Sequence, residues 1–391
     1  MSVPQRLLLG PGPSPVSPRV MSALAAPVLS HLDPYVIAAM DDIRTRLARL
    51  FHAREGAVAL GISGTGTSAM EAAVANVTRP GTRALVVVTG YFGDRLAQML
   101  ERYGARVRRL DVEWGRACDP SLVEGALREE AADLVGVVHA ETSTGVLNPV
   151  DDIARLVADR GALLIADAVT SFGAMPLNTG DWGPSVCYSC AQKGLGAPSG
   201  LSPIVFSPEA AAKRTPSRSF YFDLSLLESY WIERKYHHTI SSPLVLALRE
   251  ALTAVEEEGL SARQARHRSN HHALAAGLAA LGLELLPREG ERLWTLNAVR
   301  VPVGVDEAAV RRQLLNEFNI EIGAGLGPLA GRIWRVGLMG EGSRLSNVLI
   351  FLAALEYSLR TNGVHLPNAS PAIAAVAEAR DATQKLNSPP R

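Results

Sequence analysis

The sequence has few cysteines, no excess of charge of either sign and no long apolar run. Its 391 residues include 39 Lys and Arg against 39 Asp and Glu, so the formal net charge is 39 − 39 = 0. Nucleic-acid-binding proteins normally carry a basic excess that replaces phosphate counterions, so this balance argues against nucleic acid as a partner. Apolar runs such as 85–88 and 162–165 fall far short of the ~20 residues that span a bilayer. The start, MSVPQRLLLGPGPSP, is too short an apolar stretch for a secretory signal, so we expect a cytoplasmic protein without a membrane segment.

The three cysteines are too few, and odd in number, for a disulfide framework. Cys118 stands alone, whereas Cys187 and Cys190 have the spacing of a redox-active pair. Such a pair needs a helix N-terminus that lowers the thiol pKa, but this one lies in a short strand-like run followed by glycine-rich sequence. Residues three apart on a strand also point to opposite faces. We therefore predict that Cys187 and Cys190 are ordinary core cysteines.

Apolar residues make up 47% of the chain and charged residues 20%, a composition that excludes disorder over most of its length. After the proline-rich first 18 residues, uniformly apolar runs such as 84–89, 134–140 and 162–169 alternate with amphipathic helical periods. Apolar strands separated by helices are typical of a mostly parallel sheet that helices cover on both faces. The sequence therefore predicts an α/β fold for this part of the chain.

After about residue 258 the pattern changes to a long helix with short strands, which predicts a smaller α+β domain. The short strands are expected at LELL (283–286), TLNAVRV (295–301), IEIG (320–323) and IWRVGL (333–338). From residue 364 onward, several Pro, Asn, Ser and Ala residues predict a loosely held tail. The predicted organisation is an N-terminal arm at 1–18, a large domain at 19–258, a small domain at 259–363 and a C-terminal tail at 364–391.

A glycine-rich element follows the strand-like run 57–61 and opens a helix. Gly64, Gly66 and Ala69 match the dinucleotide fingerprint G-x-G-x-x-A in spacing and context. An NAD-dependent oxidoreductase would also place a carboxylate at the end of the next strand, but that strand ends in VTG (88–90). The glycines and hydroxyls at this helix start still suit a phosphate, although a plain strand-to-helix turn would show the same pattern.

Two charged residues lie in sequence surroundings where a charged side chain is unusual unless it has a function. Asp167 lies near the end of the apolar run 162–169, at the edge where open α/β sheets bind ligands, although a helix-capping Asp would also fit. Lys193 follows a short strand and is flanked by small residues, so we expect backbone to crowd it. Such a lysine has a lowered pKa and can bond covalently to an aldehyde, whereas a surface lysine is the ordinary alternative.

Together these three elements suit pyridoxal phosphate. This cofactor requires a phosphate site at a helix N-terminus, a carboxylate against its pyridine nitrogen and a lysine on its aldehyde. The glycine-rich turn, Asp167 and Lys193 follow in that order, with the last two 26 residues apart. The carboxylate would keep the ring nitrogen protonated, so that the ring withdraws electrons from the α-carbon of the substrate.

Eight stretches, in order, carry a resemblance to a known family: LLLGPGPSPVSPRV (7–20), SGTGTSAMEAA (63–73), GYFGDR (90–95), HAETSTGVLNPV (139–150), DAVTSFGAMPL (167–177), AQKGLGAPSGL (191–201), YHHTIS (236–241) and GAGLGPLAGRIWRVGLMG (323–340). With them the chain resembles the class V, fold-type-I pyridoxal-phosphate aminotransferases, specifically the alanine–glyoxylate and serine–glyoxylate group. The resemblance implies a large α/β domain that binds the cofactor and a smaller C-terminal α+β domain.

The resemblance also implies roles for single residues. Lys193 would hold the aldehyde, and Asp167 would face the pyridinium nitrogen. The remaining cofactor contacts would be Thr65, Gly66, Thr67 and Gln192 at the phosphate, Thr142 beside the ring, and Phe92 and Val169 on its two faces. The substrate would lie against Arg335 and Gly12, and the planar fork of an arginine suits a carboxylate. Tyr236 and Thr239 would reach a phosphate in the neighbouring subunit, which implies a homodimer with shared active sites.

Structural alternatives stay open for several of these residues. Phe92 could be a core aromatic, Arg335 an exposed strand residue, and Tyr236 and Thr239 caps of a helix in their own chain. His237 and His238 are expected to be structural, because transamination needs no base beyond the released lysine. Ala140 and Cys190 depart from the commonest family pattern, which has glycine at the first position and frequently at the second, and this difference bears on the shape of the pocket.

The predicted reaction moves an amino group from alanine to glyoxylate and yields pyruvate and glycine, with pyridoxal phosphate as cofactor and no metal. The alternatives are serine as the donor, which gives hydroxypyruvate, or a serine–pyruvate reaction. A cysteine-desulfurase-like lyase shares the fold but usually has His before the lysine, where Gln192 stands here. A cofactor-free binding module would leave the match around Lys193 unexplained. The expected partners are small amino acids, 2-oxo acids and a second copy of the chain.

Overall fold

Strands and helices alternate along most of the chain. The structure, a computed structural model, describes residues 3–366 and 371–387. Its strands are β1 (Leu7–Leu8), β2 (Val58–Gly64), β3 (Arg83–Val88), β4 (Arg106–Asp111), β5 (Leu134–Val138), β6 (Ala140–Glu141), β7 (Val146–Leu147), β8 (Leu163–Asp167), β9 (Ser185–Tyr188), β10 (Gly200–Phe206), β11 (Leu296–Arg300), β12 (Ile320–Glu321), β13 (Gly323–Ala324) and β14 (Ile333–Gly337). Its helices are α1 (Pro18–Leu24), α2 (Pro34–Leu50), α3 (Gly66–Val77), α4 (Tyr91–Arg102), α5 (Pro120–Glu129), α6 (Val150–Asp159), α7 (Pro208–Ala212), α8 (Leu224–Trp231), α9 (Ser242–Glu258), α10 (Leu260–Ala280), α11 (Glu307–Phe318), α12 (Leu345–Thr361) and α13 (Pro371–Asn387).

The central sheet has seven strands in the order β2–β10–β9–β8–β5–β3–β4. Neighbours from β9 to β4 are parallel, whereas β10 is antiparallel to both β2 and β9. All strands of this sheet except β10 therefore point the same way, and their carboxyl ends meet at one edge. β5 and β8 are buried along their whole length, which explains their uniformly apolar sequences. The predicted α/β class with a mostly parallel sheet is confirmed.

Side chains of the preceding residues determine where two of the helices begin. Asp33 Oδ1 accepts a hydrogen bond from the Tyr35 N–H at 2.8 Å, and Asp119 Oδ1 accepts one from the Ser121 N–H at 2.9 Å. The first residue of each helix is a proline, whose missing N–H would have no partner inside the helix. Asp119 and Pro120 therefore define the start of α5, as Asp33 and Pro34 define that of α2.

Buried apolar side chains form two large clusters. One covers the central sheet with residues between Val20 and Val255, and the other joins Leu9 to residues between Ala273 and Val376. The second cluster includes residues of β11 and β14, which form an antiparallel sheet with β13. β1 of the N-terminal arm pairs with β12. The boundaries at residues 18, 258 and 363 remain predictions. None of the helices in the described ranges combines the length and apolar character needed to cross a bilayer.

Three local predictions differ from the structure. The LELL run contributes a single bridge, between Leu285 and Val299, instead of a strand. The IEIG run divides between two sheets, because β12 pairs with β1 whereas β13 pairs with β14. The expectation of a loosely held tail is wrong where α13 packs against α10, since its Ala372 and Val376 are buried in the second cluster. Residues 367–370 and 388–391 of that predicted tail lie outside the described residues.

Candidate active site

A cavity of about 120 Å³ lies at the edge where the parallel strands end. Segments that follow β2, β3, β5, β8 and β9 line it, so the topology brings together residues that are far apart in sequence. Most of the residues predicted for the cofactor are in this lining: Thr65, Gly66, Thr67, Phe92, Thr142, Asp167, Val169, Gln192 and Lys193. The lining also includes Met70, Arg95, Val138, Ala140 and Cys190.

Lys193 lies in a turn after β9 that other parts of the chain hold in place. Its Nζ donates a hydrogen bond to the carbonyl of Pro11, and Ser14 Oγ donates one to the Lys193 carbonyl at 2.8 Å. Arg263, buried at the start of α10, donates to the carbonyl of Gly194 at 2.6 Å. Burial lowers the pKa of Lys193 below its ordinary value of 10.5. The uncharged amine that this favours is the form that attacks an aldehyde, so Lys193 differs from an ordinary surface lysine.

Asp167 ends β8 with its carboxyl group buried. Oδ1 accepts a hydrogen bond from the Val169 N–H at 2.8 Å, so a capping interaction does exist, but at a turn instead of a helix. Burial raises the pKa of Asp167 to about 7. A cation brought against this carboxyl group would favour its charged form and reverse that rise.

The first residues of α3 form one end of the cavity. Thr65, which precedes the helix, makes no side-chain cap bond, so its hydroxyl is available to another group. A Cβ on Gly66 would lie 2.9 Å from Val169 Cγ2, so only glycine allows the helix start to approach Val169 this closely. Gln192 Oε1 is buried without a hydrogen-bond partner in the described part of the chain. The free hydroxyl of Thr65 and the backbone N–H groups of the helix N-terminus can donate to an anion, so this end of the cavity suits one.

Phe92 and Thr142 contribute to the walls of the cavity. Phe92 lies in the first turn of α4 and is only half-buried, which distinguishes it from a core aromatic. The hydroxyl of Thr142 shares a hydrogen bond with that of Thr170 and is buried with it. The ring of Phe92 therefore provides an apolar surface, and the hydroxyl of Thr142 provides a polar one.

Arg335 and Gly12 are absent from the lining described above but lie beside it. Arg335 is only 7% exposed, and its Nε donates a hydrogen bond to the carbonyl of Ala324 at 2.7 Å. The alternative interpretation of Arg335 as an exposed strand residue is therefore wrong. Burial lowers the pKa of Arg335 to about 10, and the charge of Glu141 acts in the opposite direction. Gly12 has a φ of 112°, and a Cβ there would lie 2.7 Å from Lys193 Nζ. The N-terminal arm therefore passes directly against the lysine.

Tyr236 and Thr239 lie on the loop between α8 and α9, away from the cavity of their own chain. Tyr236 is 63% exposed, and its hydroxyl is 3.4 Å from Thr239 Oγ1. His238 on the same loop is buried, with its Nε2 2.7 Å from Ser63 Oγ. The role of Tyr236 and Thr239 in a neighbouring subunit stays a prediction.

Glu141 is a buried carboxylate that sequence reasoning missed. It accepts hydrogen bonds from the N–H groups of Phe92 at 3.2 Å and Gly93 at 3.1 Å, and from Ser143 Oγ at 2.6 Å. Glu141 thereby fixes the first turn of α4, which carries Phe92. The signal that could have identified it is the one used for Asp167, a carboxylate directly after an apolar run.

The cysteines are buried and free, as predicted. Burial raises the pKa of the Cys190 thiol to about 12, whereas a redox-active pair requires a lowered thiol pKa. Cys187 on β9 is also buried, and burial raises its thiol pKa well above the ordinary value. The interpretation of both as core cysteines is confirmed, although Cys190 also lines the cavity.

Comparisons with known proteins agree with this geometry. The sequence profile of the family described as Aminotransferase class-V matches residues 12–335. (S)-Ureidoglycine–glyoxylate transaminase of Bacillus subtilis (strain 168) is 37% identical over 379 residues, covering 91% of each chain. Alanine–glyoxylate aminotransferase of Drosophila melanogaster is 36% identical over 370 residues, covering 92% of this chain and 94% of that one. The crystal structure of alanine–glyoxylate aminotransferase from Nostoc sp. has a TM-score of 0.90 and 45% identity, covering 92% of this chain and 97% of that one.

Proposed function

The chain belongs to the class V aminotransferases, and from that premise we propose that it transfers the amino group of alanine to glyoxylate, yielding pyruvate and glycine. The predicted family, the fold-type-I architecture and the aminotransferase activity are confirmed. The cofactor of this family is pyridoxal phosphate. The observation that carries the proposal is the convergence of Lys193, Asp167 and the start of α3 on one cavity.

The residues of the cavity fit pyridoxal phosphate. Asp167 is a buried carboxyl group whose charged form needs a cation, and a protonated ring nitrogen would supply it. The available hydroxyl of Thr65 and the N-terminus of α3 suit the phosphate, and the side-chain N–H₂ of Gln192 could donate to it. We therefore assign the phosphate to Thr65, Gly66, Thr67 and Gln192, the ring to Phe92, Thr142 and Val169, and the aldehyde to Lys193.

In this assignment each side chain has a chemical task. Once bound, the cofactor supplies a conjugated ring that withdraws electrons from the substrate α-carbon. Lys193 would hold the cofactor aldehyde and, as a free amine, would move a proton from the substrate α-carbon to the cofactor in one half of the exchange and from the cofactor to the oxo-acid carbon in the other. Arg335 binds the substrate carboxylate through two parallel hydrogen bonds. The arm at Pro11 and Gly12 covers Lys193 and limits the access of water.

Glyoxylate as the acceptor is supported by the names of the relatives from Bacillus subtilis and Drosophila melanogaster. Alanine as the donor is supported by the second of them. Serine is the first alternative donor, and the Bacillus subtilis relative adds (S)-ureidoglycine as another. These donors share an α-amino carboxylate, which Arg335 and Lys193 would bind in the same way.

We also propose a homodimer with shared active sites and a cytoplasmic location. The dimer is supported by Tyr236 and Thr239, which are exposed on a loop outside their own cavity. The cytoplasmic location is supported by three free cysteines, because disulfides are rare in the reducing cytosol.

The test combines spectroscopy with a donor panel. The purified protein should be yellow, and borohydride should bleach it and fix the cofactor to one lysine. The sequence contains four lysines, Lys193, Lys213, Lys235 and Lys385, so mass mapping of the reduced protein identifies the attachment site. With glyoxylate as acceptor, we expect alanine to be converted to pyruvate faster than serine or (S)-ureidoglycine reacts.

Lys193→Ala should lower kcat by about 10⁴-fold, because the variant loses the acid–base group, while its fold is retained. Lys213→Ala, at an exposed lysine, is the matched control and should behave like the wild type. Attachment at another lysine, or an active Lys193→Ala variant, would refute the assignment. A faster reaction with another donor would leave the aminotransferase activity supported, and that donor would replace alanine as the preferred substrate.

A further inference from the structure

Arg95 is a cavity residue to which neither the sequence nor the proposed mechanism gives a role. It lies on α4, lines the cavity and donates a hydrogen bond from Nη1 to Thr67 Oγ1 at 2.9 Å. Its guanidinium carbon is 5.0 Å from the centre of the Phe92 ring and 5.2 Å from that of Tyr91. Arg95 therefore contacts Thr67, which is assigned to the phosphate, and Phe92, which is assigned to one face of the ring.

The charge of Arg95 has no carboxylate partner in the ranges that the structure describes. Asp94, its neighbour in the chain, pairs with Arg109 at 2.6 Å. Arg95 also borders a surface groove next to the cavity, together with Glu71. Glu71 accepts a hydrogen bond from the Tyr103 hydroxyl at 3.0 Å. An arginine in a cavity wall without an ion pair is suited to an anionic ligand.

The groups assigned to the phosphate are all uncharged. A phosphate monoester carries about −1.5 to −2 charges at pH 7, and a helix N-terminus offers only about half a positive charge. The cationic side chains that line the cavity are Lys193 and Arg95, and Lys193 is assigned to the aldehyde. The phosphate end of the cavity thus lacks a counter-charge unless Arg95 supplies it.

We propose that Arg95 is a further cofactor-binding residue, which neutralises the phosphate and orients the Thr67 hydroxyl towards it. Because Thr67 Oγ1 accepts a hydrogen bond from Arg95, its own O–H remains free to donate to a phosphate oxygen. The cation–π contact with Phe92 would hold the guanidinium in place when the cofactor leaves. This inference rests on the proposed placement of the phosphate at the start of α3.

The test compares two ligands that differ only by the phosphate. Cofactor-free Arg95→Met protein is titrated with pyridoxal phosphate and with pyridoxal, and both dissociation constants are measured spectroscopically. Affinity for pyridoxal phosphate should fall about 10- to 100-fold, as expected for the loss of a charge-assisted hydrogen bond. Affinity for pyridoxal should change by no more than about twofold, since that ligand has no phosphate for the guanidinium to bind.

Arg102→Met is the matched control. Arg102 is an exposed residue of the same helix that borders the groove beside Arg95 but does not line the cavity. It should leave both affinities unchanged. Arg95→Lys keeps the charge but not the planar fork, so its loss of affinity for pyridoxal phosphate should be intermediate. As a second measurement, phosphorus NMR of the holoenzyme should show the bound phosphate protonating at higher pH in Arg95→Met than in the wild type.

A Thr67→Val variant distinguishes failure of this inference from failure of the phosphate placement. If Thr67→Val selectively weakens pyridoxal phosphate and Arg95→Met does not, the placement holds and the role of Arg95 is refuted. If neither variant alters the preference for the phosphorylated ligand, both the placement and the inference fail. If Arg95→Met lost affinity for both ligands equally, the role of Arg95 would be to pack against Phe92. That result would also overturn the inference.

Discussion

At the scale of single residues, the burial of Asp167 makes the charged form of its carboxyl group unfavourable. Its pKa is about 7 in the folded, cofactor-free chain and 3.8 when unperturbed, so between these values the folded state binds more protons. The free energy of unfolding of the cofactor-free protein therefore falls as the pH rises from about 4 to 7. Binding of a protonated ring nitrogen would remove this penalty, which couples cofactor binding to stability.

Asp167→Asn should accordingly separate stability from function. At neutral pH the cofactor-free variant should melt at a higher temperature than the wild type, because a buried neutral amide avoids the desolvation of a charge. The kcat of the loaded variant should fall by roughly 10²- to 10³-fold, since the ring nitrogen loses its compensating charge. Calorimetry and steady-state kinetics measure the two effects.

The melting temperatures of wild type and Asp167→Asn should converge below about pH 4, where Asp167 is protonated in both states. Normal turnover of Asp167→Asn would place the partner of the ring nitrogen elsewhere.

Arg335→Lys should raise KM for both the amino donor and the oxo acceptor. A single ammonium cannot reproduce two parallel hydrogen bonds, and the loss of about 1.4 kcal/mol or more corresponds to at least about a tenfold rise. Initial rates over both substrate concentrations provide the measurement. Unchanged KM values for both substrates would exclude Arg335 as the carboxylate anchor.

At the scale of elements, the conformation of the N-terminal arm depends on Gly12. β1 pairs with β12, and the chain then continues to Pro11, whose carbonyl accepts a hydrogen bond from Lys193 Nζ. Gly12 has a positive φ and leaves no space for a Cβ beside Lys193. The arm therefore links the small β1–β12 sheet to the reacting amine.

Gly12→Ala should lower kcat by about 10²-fold, the effect of displacing a reacting group by roughly 1 Å. It should destabilise the protein by only about 1–2 kcal/mol, because besides the left-handed backbone the added Cβ meets only the flexible side chain of Lys193, which can shift. Gly10→Ala is the control, since a Cβ there would meet its nearest atoms at 3.8 Å. Equal kinetics for the two variants would show that the arm does not constrain Lys193.

At the scale of the whole molecule, exposed apolar side chains surround the loop that carries Tyr236. Phe220 is 73% exposed, Tyr236 63% and Tyr221 42%, and the ring of Tyr236 lies 5.5 Å from that of His31. Aromatic residues are enriched at protein interfaces, so this surface supports the proposed dimer.

Mixed dimers test whether the active sites are shared. One inactive chain carries Lys193→Ala, and the other carries Tyr236→Phe together with Thr239→Val. After subunit exchange, a mixed dimer with shared sites contains one site in which Lys193, Tyr236 and Thr239 are all intact. We therefore expect about half of the wild-type activity per mixed dimer, because a two-fold arrangement creates two equivalent sites.

The same mixture without subunit exchange is the control and should stay inactive. Mixed dimers that are shown to form but remain inactive would place Tyr236 and Thr239 within their own chain's site or outside any site.

The sequence by itself determined the parallel sheet and the residues with the most distinctive chemistry. Burial of β5 and β8 on both faces requires uniformly apolar runs, and that requirement is visible in the order of the residues. Asp167 and Lys193 could be singled out because a charge beside an apolar run or among glycines is locally conspicuous. The family stretches then supplied the rest of the predicted site.

Only the tertiary structure decided which groups surround these residues. Glu141 beneath α4, Arg95 against Thr67, the burial of Arg335 and the approach of Gly12 to Lys193 all join segments that are distant in sequence. The packing of α13 on α10 and the division of the IEIG run between two sheets have the same origin. Such contacts leave no periodic signal in a single segment, because each side chain meets its partner only after the chain has folded.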